Sequence, residues 1–326
     1  MNAGAARVLA LLRGASGAAS GEALSAELGV SRAQVWKHIE SLRRLGYDVE
    51  GEPGGGYRLR AAPDRLYGEE ILCGLDTRWL AREIEHFEEI DSTNRVATER
   101  AAAGAAAGYT VVAEAQTAGR GRLGRHFFSP PHANLYTSIV LRPRLELAQA
   151  PTLIPTAAIA VADAIAAELG RRDDVEIKWP NDVWIAGRKV SGILLERVEG
   201  GDRALVGIGI NLARVPLELP ADVARRTTSL ADVLGHVPSR TDVLGELLPR
   251  VDARLTDACE ASQHGQLEDA WRSRLALRGQ VVRFRQAGAP QAGVLEDASF
   301  VEGLLVRDES GPRWRPAAHV VDLSPA

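Results

Sequence analysis

The chain has 326 residues, 45% hydrophobic and 25% charged, with a net charge of −4. That length supports two or three domains with a sizeable core, and the charge excludes a generic polyanion binder, so any nucleic-acid contact must be a local patch. Cys73 and Cys259 form no Cys-x-x-Cys pair, the first apolar run covers only residues 8–12, and no stretch nears the roughly 20 residues that span a bilayer. A disulfide framework, a thiolate zinc site, a signal peptide and a membrane span are therefore not expected, and the sequence reads as a soluble, cytoplasmic protein. Of the 39 basic residues only Lys37, Lys178 and Lys189 are lysines. Two of them fall in one twelve-residue stretch, which marks it as a place for a compact ammonium rather than a guanidinium fork.

Taken in chain order, residues 5–12 have helical apolar spacing before Gly14. A second helix is predicted over 22–28, with Ser20 before it and Gly29 as a left-handed stop. For the third, Ser31 is the predicted N-cap and Gln34 its capping-box partner, with Val30 and Val35 at the staple positions. Val35, Ile39, Leu42 and Leu45 recur with helical period, Gly46 ends the helix, and Arg32, Lys37, His38, Arg43 and Arg44 take the other face. Residues 47–50 and 57–60 read as strands around the turn-rich 51–56.

Three helices and a hairpin make a winged helix-turn-helix whose third helix enters a major groove. Ser31, Arg32, Ala33 and Gln34 would face base edges, while Lys37, Arg43 and Arg44 would meet phosphates. Residues 1–60 hold eight basic and six acidic side chains, a modest +2, and Glu50 and Glu52 put negative charge on the wing. The same fold also serves as a plain protein-interaction module, so DNA binding enters as an expectation.

Residues 119–124, Gly-Arg-Gly-Arg-Leu-Gly, match the spacing of the dinucleotide fingerprint. That fingerprint needs a helix at once, and His126-Phe-Phe-Ser-Pro-Pro131 forbids one. A strand over 133–141 follows instead. Arg120, Arg122 and Arg125, interleaved with glycines, suit a loop folded around phosphate oxygens; a solvated basic loop or a nucleic-acid patch has the same composition. Further on, a buried helix is predicted over 154–169, ended by Gly170, and strands over 176–179, 183–185, 190–197 and 204–210. Gly207 and Gly209 mark close backbone approach, and Gly209 and Asn211 are within the range of residues that can touch ligand. Strands over 281–285, 292–295 and 303–306 suggest a small β-barrel, with Arg313-Trp-Arg315 in an exposed turn or, as the alternative, a contact for ligand or partner. The fold class is α/β (α+β).

Four motifs occur in order: Asp91-Ser-Thr-Asn94, Gln116-Thr-Ala-Gly-Arg-Gly-Arg122, Lys178-Trp-Pro-Asn-Asp182 and Lys189-Val-Ser-Gly192. Together they resemble the biotin protein ligase family, and with the winged head its bifunctional class, ligase and biotin-operon repressor in one chain. The resemblance implies a winged helix-turn-helix over 1–65, a class II synthetase-like, lipoate-ligase-like mixed-sheet catalytic domain over 66–274, and an SH3-like β-barrel over 275–326. It implies formation of biotinyl-5′-AMP from biotin and ATP, with Mg2+ held through the phosphates, and transfer of biotin to a lysine of the biotin carboxyl carrier protein of acetyl-CoA carboxylase. A double-stranded DNA operator and a homodimer of the adenylate-bound form are the other implied partners, with no membrane.

Carried over by position, Ser92, Thr93 and Asn94 line the biotin site. Gln116, Arg120, Gly121 and Arg122 hold the carboxylate and phosphates, and Lys178 and Lys189 contact the same groups. Gly119, Arg122, Arg125, Phe127, Asn181 and Asn211 belong to the ATP and adenylate set, with the Gly119–Phe128 loop folding over the adenylate. Asn181 and Asp182 either orient Lys189 or help hold magnesium, and Asp182 is the candidate general base. The implied catalytic set is Lys189, Arg120, Arg122, Lys178 and Asp182. One departure stands out: the family commonly has Trp where this chain has Phe127, which removes stacking area and an indole N–H. Three other readings compete: a ligand-sensing repressor without ligase activity, a lipoate ligase, and a ligase with a vestigial head.

Overall fold

The computed structural model describes residues 1–52, 55–142, 152–172, 174–198, 203–214 and 219–326. Pro53 and Gly54 of the expected wing turn lie outside the described residues. The chain forms two compact units, Met1–Gly74 and Leu75–Ala326. No helix among the described residues is long and apolar enough to cross a membrane.

The first unit runs α1 (Ala3–Gly14), α2 (Gly21–Leu28), α3 (Arg32–Arg44), the antiparallel hairpin β1 (Asp48–Glu52) and β2 (Gly56–Ala61), then α4 (Gly68–Leu72). Val8, Leu9 and Leu12 of α1 pack with Leu24 and Leu28 of α2 and with Val35, Ile39 and Leu42 of α3. This is the apolar stripe that the helical spacing predicts. The unit extends past residue 65 because Tyr67 joins this core and the buried Glu70 accepts hydrogen bonds from Arg13 and from Tyr47 Oη.

Ser31 caps α3 by accepting from the Gln34 amide at 3.2 Å. The reciprocal half of the expected capping box is not made, because Gln34 Nε2 turns one helical turn on, to His38 Nε2 at 3.2 Å. A full box forms elsewhere, at Ser229 and Asp232.

The second unit is built on a seven-stranded sheet. Its elements are β3 (Ile84–Phe87), α5 (Thr93–Ala102), β4 (Thr110–Ala113), β5 (Leu135–Leu141), α6 (Leu153–Leu169), β6 (Val175–Lys178), β7 (Asp182–Ile185), β8 (Arg188–Arg197) and β9 (Ala204–Ile210). The strand order is β3-β4-β5-β9-β8-β7-β6, with β3–β4 parallel and the other pairs antiparallel. After α7 (Ala221–Arg226) and α8 (Leu230–Leu234) come α9 (Arg240–Ala258) and α10 (His264–Arg272). Helix α6 is buried on nearly every side, which its apolar run requires, between the sheet and α9. Gly170 stops it in the left-handed region at φ 63°.

The chain then forms a second, antiparallel sheet of β10 (Val281–Gln286), β11 (Ala289–Ser299), β12 (Gly303–Asp308), β13 (Gly311–Arg315) and β14 (Val320–Pro325), in the order β13-β12-β11-β10-β14. Arg313-Trp-Arg315 is strand β13 and not the expected turn: its backbone pairs with β12 from Leu304 to Asp308. This sheet is held to the large one by a chain crossing in which Ile177 N donates to Arg274 O at 2.6 Å. Trp271 adds a stack, tilted against Trp179 and Phe300 with ring centroids 5.6 and 5.3 Å away.

Candidate active site

Strand register builds the floor of the site. Tyr136, Gly209, Gly192 and Asp182 lie opposite one another across β5, β9, β8 and β7, and Ser138, Gly207 and Leu194 form the next row. A Cβ at Gly207 would collide with the Asn94 amide, and one at Gly209 would sit 2.5 Å from Phe127 Cζ. The floor is bare there so that side chains from α5 and from the glycine-arginine loop can reach it.

Asp91-Ser-Thr-Asn94 opens α5; Ser92, Thr93 and Asn94 are buried, while Asp91 stays half exposed and pairs with Arg95. Ser92 is buried at the N-cap position and makes no side-chain capping bond. Thr93 donates through both its amide and its hydroxyl to Gln116 Oε1, at 2.8 and 3.0 Å. Gln116 Nε2 donates to Ser129 Oγ at 2.9 Å, and the Ser129 hydroxyl donates to Phe127 O at 2.9 Å. Asn94 donates to Glu196 Oε2 at 2.6 Å, while its Oδ1 lies 2.5 Å from Ser138 Oγ.

The glycine-arginine loop is a tight hairpin. Gly121 N donates to Arg125 O at 2.7 Å and Phe127 N to Gly119 O at 2.9 Å. Only a single 3-10 turn, Arg122–Gly124, interrupts it, with Leu123 in the left-handed region at φ 58°. Gly119 is a packing position: a Cβ there would lie 2.6 Å from Ser129 Oγ. The hairpin sets Arg120, Gly121, Arg122 and Phe127 along one cleft with Ser92, Thr93, Asn94, Gln116, Asn181 and Lys189. The Phe127 ring rests over Gly209 and narrows this cleft to about 60 Å³.

Lys189 Nζ is bonded to Asp182 Oδ1 at 2.8 Å. Asn181 does something else: its Nδ2 donates to Ile193 O at 2.7 Å and its Oδ1 accepts from Arg122 Nη1 at 3.3 Å. Asp182 is thus bonded to Lys189 and Asn181 to Arg122, a partner the sequence did not suggest. As a candidate base Asp182 is already engaged. Burial pushes the Arg122 pKa down, opposed by the nearby charge of Asp182.

Lys178 and Arg125 line an adjoining cleft of about 150 Å³, shared with Arg122, Asp182 and Asp322. Lys178 sits 5.3 Å from the Trp184 ring centroid. Burial depresses its pKa, Asp182 opposes that shift, and Lys189 adds to it. Arg125 donates to Asp322 Oδ1 of β14 at 2.6 Å. On the other side of Phe127 and Lys189, an apolar cavity of about 390 Å³ is lined by Phe128, Asn211, Pro220 and Val223. The Asn211 amide is tied to Thr228 O at 3.1 Å.

The Biotin/lipoate A/B protein ligase family signature matches residues 86–212, and that of an HTH domain residues 5–58. The chain is 39% identical over 241 residues to the bifunctional ligase/repressor BirA of Bacillus subtilis, covering 73% of this chain and 74% of that protein. The chain belongs to the biotin protein ligase family. The bifunctional ligase/repressor of Escherichia coli is 41% identical over 197 residues, 60% of this chain and 59% of its own. Among solved structures, the biotin protein ligase of Aquifex aeolicus in complex with biotin and ATP aligns with a TM-score of 0.65 at 30% identity. It covers 75% of this chain and 100% of that one.

Within this family member, sequence reasoning missed Ser129, Ser138 and Glu196, which bond to motif residues without belonging to a motif, and Asp322, which bonds to Arg125 of the glycine-arginine loop. One signal was legible: Glu196 is a charge closing the apolar run Ile193-Leu-Leu195. In the head, two residues of the expected DNA set serve the fold. Ser31 is the cap, and Arg43 donates from Nε and Nη2 to Val49 O at 2.9 and 2.7 Å and from Nη1 to Glu40 at 2.5 Å. Glu50 is paired with Arg60 at 2.6 Å, so its charge on the wing is partly neutralised. Arg32, Lys37 and Arg44 remain exposed on α3, beside an exposed Trp36.

Proposed function

We infer that this chain is an ATP-dependent biotin protein ligase that makes biotinyl-5′-AMP and transfers biotin to a carrier-protein lysine. The observation that carries the reading is the single cleft joining an amide-and-hydroxyl cluster to a cationic cluster, with an apolar cavity alongside. Ser92, Thr93, Asn94 and Gln116 are suited to a neutral, hydrogen-bonding head such as the ureido ring. Arg120, Gly121, Arg122 and Lys189 are suited to the carboxylate and the α-phosphate, and Phe127 and Asn211 to the adenine. The Phe127 ring must move off Gly209 for a ligand of this size to enter, which fits a loop that closes after binding.

In the first step the biotin carboxylate oxygen attacks the α-phosphorus of ATP, and pyrophosphate leaves. Arg122 and Lys189, held in place by Asn181 and Asp182, face the charge that develops on the phosphate oxygens. In the second, the unprotonated carrier amine attacks the acyl carbon of the mixed anhydride, AMP leaves with the electron pair, and the new amide nitrogen gives up one proton to solvent. Lys178 and Arg125, in the adjoining cleft, are placed for the departing pyrophosphate. Among the described residues no cluster of three or more carboxylate, imidazole or thiol side chains could hold a metal, so a magnesium ion would be carried on the nucleotide's own phosphate oxygens, with Asp182 and Asp322 the carboxylates lining the adjoining cleft. Bound there it would withdraw charge from the phosphate.

The same proposal divides the chain into a DNA-reading segment over 1–74, in place of the expected 1–65, a catalytic segment over 75–274 and the barrel over 275–326. It assigns operator contact to Arg32, Gln34 and Lys37. A head with net charge +2 over residues 1–60 holds phosphate weakly by itself, so a homodimer of the adenylate-bound form is the proposed repressor. The substrate of transfer is the biotin carboxyl carrier protein. The test is ATP-dependent transfer of labelled biotin to an isolated carrier domain, with a gel shift on operator DNA with and without biotin and ATP. Tight biotin binding without transfer would favour the sensor-repressor reading; transfer without any operator shift would leave the enzyme alone.

A further inference from the structure

We propose that Glu196 is a positioning residue for biotin: it fixes which way the Asn94 amide faces and tethers Arg120 of the glycine-arginine loop. The proposal rests on the ligase reading of the cleft. Glu196 stands on β8 on the same face as Gly192 and Leu194, which line the cleft, one step further out. Its Oε2 accepts from Asn94 Nδ2 at 2.6 Å, and its Oε1 lies 3.7 Å from Arg120 Nη1.

A carboxylate only accepts, so this contact admits one orientation of the amide. Nδ2 is drawn to Glu196, and Oδ1 is turned to Ser138 and to the bare backbone at Gly207. The cleft is thereby presented with an acceptor, the complement of a ligand N–H such as those of a cyclic urea. Without Glu196 the two ends of the amide become nearly equivalent, and Asn94 can offer a donor that such a head cannot use.

The contact is also one end of a longer relay. From Asn94 it runs through Ser138, whose single proton goes either to Asn94 Oδ1 or to Thr93 Oγ1, and on through Thr93, Gln116 and Ser129 to Phe127 O, with each contact at 3.0 Å or less. Arg120 and Phe127 stand on opposite legs of the same hairpin. The polar groups around the cleft are therefore anchored to the loop at both ends, and Glu196 closes the circuit on the Arg120 side.

Two variants test this in the full-length chain. Glu196→Ala removes the acceptor and should weaken biotin binding, read by calorimetry, by about tenfold or more, the loss of one charge-assisted bond. The KM for ATP should rise less than biotin affinity falls, because ATP meets the released Arg120 but not Asn94 in the proposed site, and the melting temperature should fall by no more than a few degrees, the cost of one unpaired amide. Glu196→Gln keeps an acceptor for Asn94 but no charge for Arg120. It should bring biotin affinity back to within about threefold of the wild type, while trypsin cuts the ligand-free loop at Arg120 to Arg125 faster than in the wild type. Unchanged biotin affinity in Glu196→Ala overturns the proposal. So does an equal loss in both variants with a matching fall in melting temperature, which marks a purely structural residue. Failure of the wild type itself to bind biotin overturns the ligase reading, and this inference with it.

Discussion

Lys189→Ala offers the sharpest separation between chemistry and folding. The ammonium is about two-thirds buried and bonded to Asp182 at 2.8 Å. Removing it does not strand a buried charge, because Lys178 and Arg122 both feel the Asp182 carboxylate and remain. The loss in stability should therefore stay at about 1 kcal/mol or less, the range of a partly exposed ion pair. The loss in rate should be much larger. A preorganised cation facing the developing phosphate charge is worth about 3 kcal/mol, a fall of about two to three orders of magnitude.

Biotin-dependent exchange of pyrophosphate into ATP measures the adenylation step alone, and thermal unfolding measures the fold beside it. Lys189→Arg sharpens the result: Nζ and Cε already lie 2.9 and 3.1 Å from a Cβ built on Gly192, so a broader guanidinium is crowded and should restore little. Exchange by Lys189→Ala within about threefold of the wild type, with an intact fold, would refute the assignment of Lys189 to the phosphate.

Gly207→Ala should force the Asn94 amide from its place between Glu196 and Ser138 and weaken biotin binding by about tenfold or more; calorimetry showing wild-type affinity would contradict the packing argument. Arg100, by its hydrogen bond, and Tyr109 hold the Glu85 carboxyl below the usual carboxylate range. The stabilisation is full above the unfolded value of about 4.3 and is lost as pH falls through the lower folded value. Glu85→Gln should thus melt about 2 °C below the wild type at neutral pH, with the gap closing as the carboxyl protonates in acid; a gap that persists in strong acid would contradict the linkage. In the head, Arg43→Ala should cost about 1 kcal/mol of stability through its lost bonds to Val49 O. Lys37→Ala should leave stability alone and lower the salt slope of DNA binding by about one. Chemical denaturation and a gel shift at two salt concentrations distinguish the pair, and a loss of stability in Lys37→Ala would reverse the assignment.

Local chemistry made much of this protein legible in its residues. Gly29 ends α2 and Ser31 starts α3 as expected because left-handed stops and capping depend on a few neighbouring atoms. The proline pair after the glycine-arginine loop excluded a helix for the same local reason. The four motifs, and the strands that carry the two lysine motifs, could be read because period and turn chemistry are short-range, while α5, which the first motif opens, was not predicted. Tertiary structure decided which side chains meet. Register across β5, β9, β8 and β7 places Gly209 beneath Phe127 and Gly207 beneath Asn94, and pairing between distant strands is invisible to periodicity. The same holds for Arg43, whose exposed place on the helix suggested a phosphate contact until the wing folded back to offer it a carbonyl. It holds again for Glu196, which lies 102 positions from Asn94 in the chain and belongs to no motif, yet bonds directly to a motif residue. Spacing reports what a residue can do with its neighbours; only the packed sheet determines which distant partner it finds.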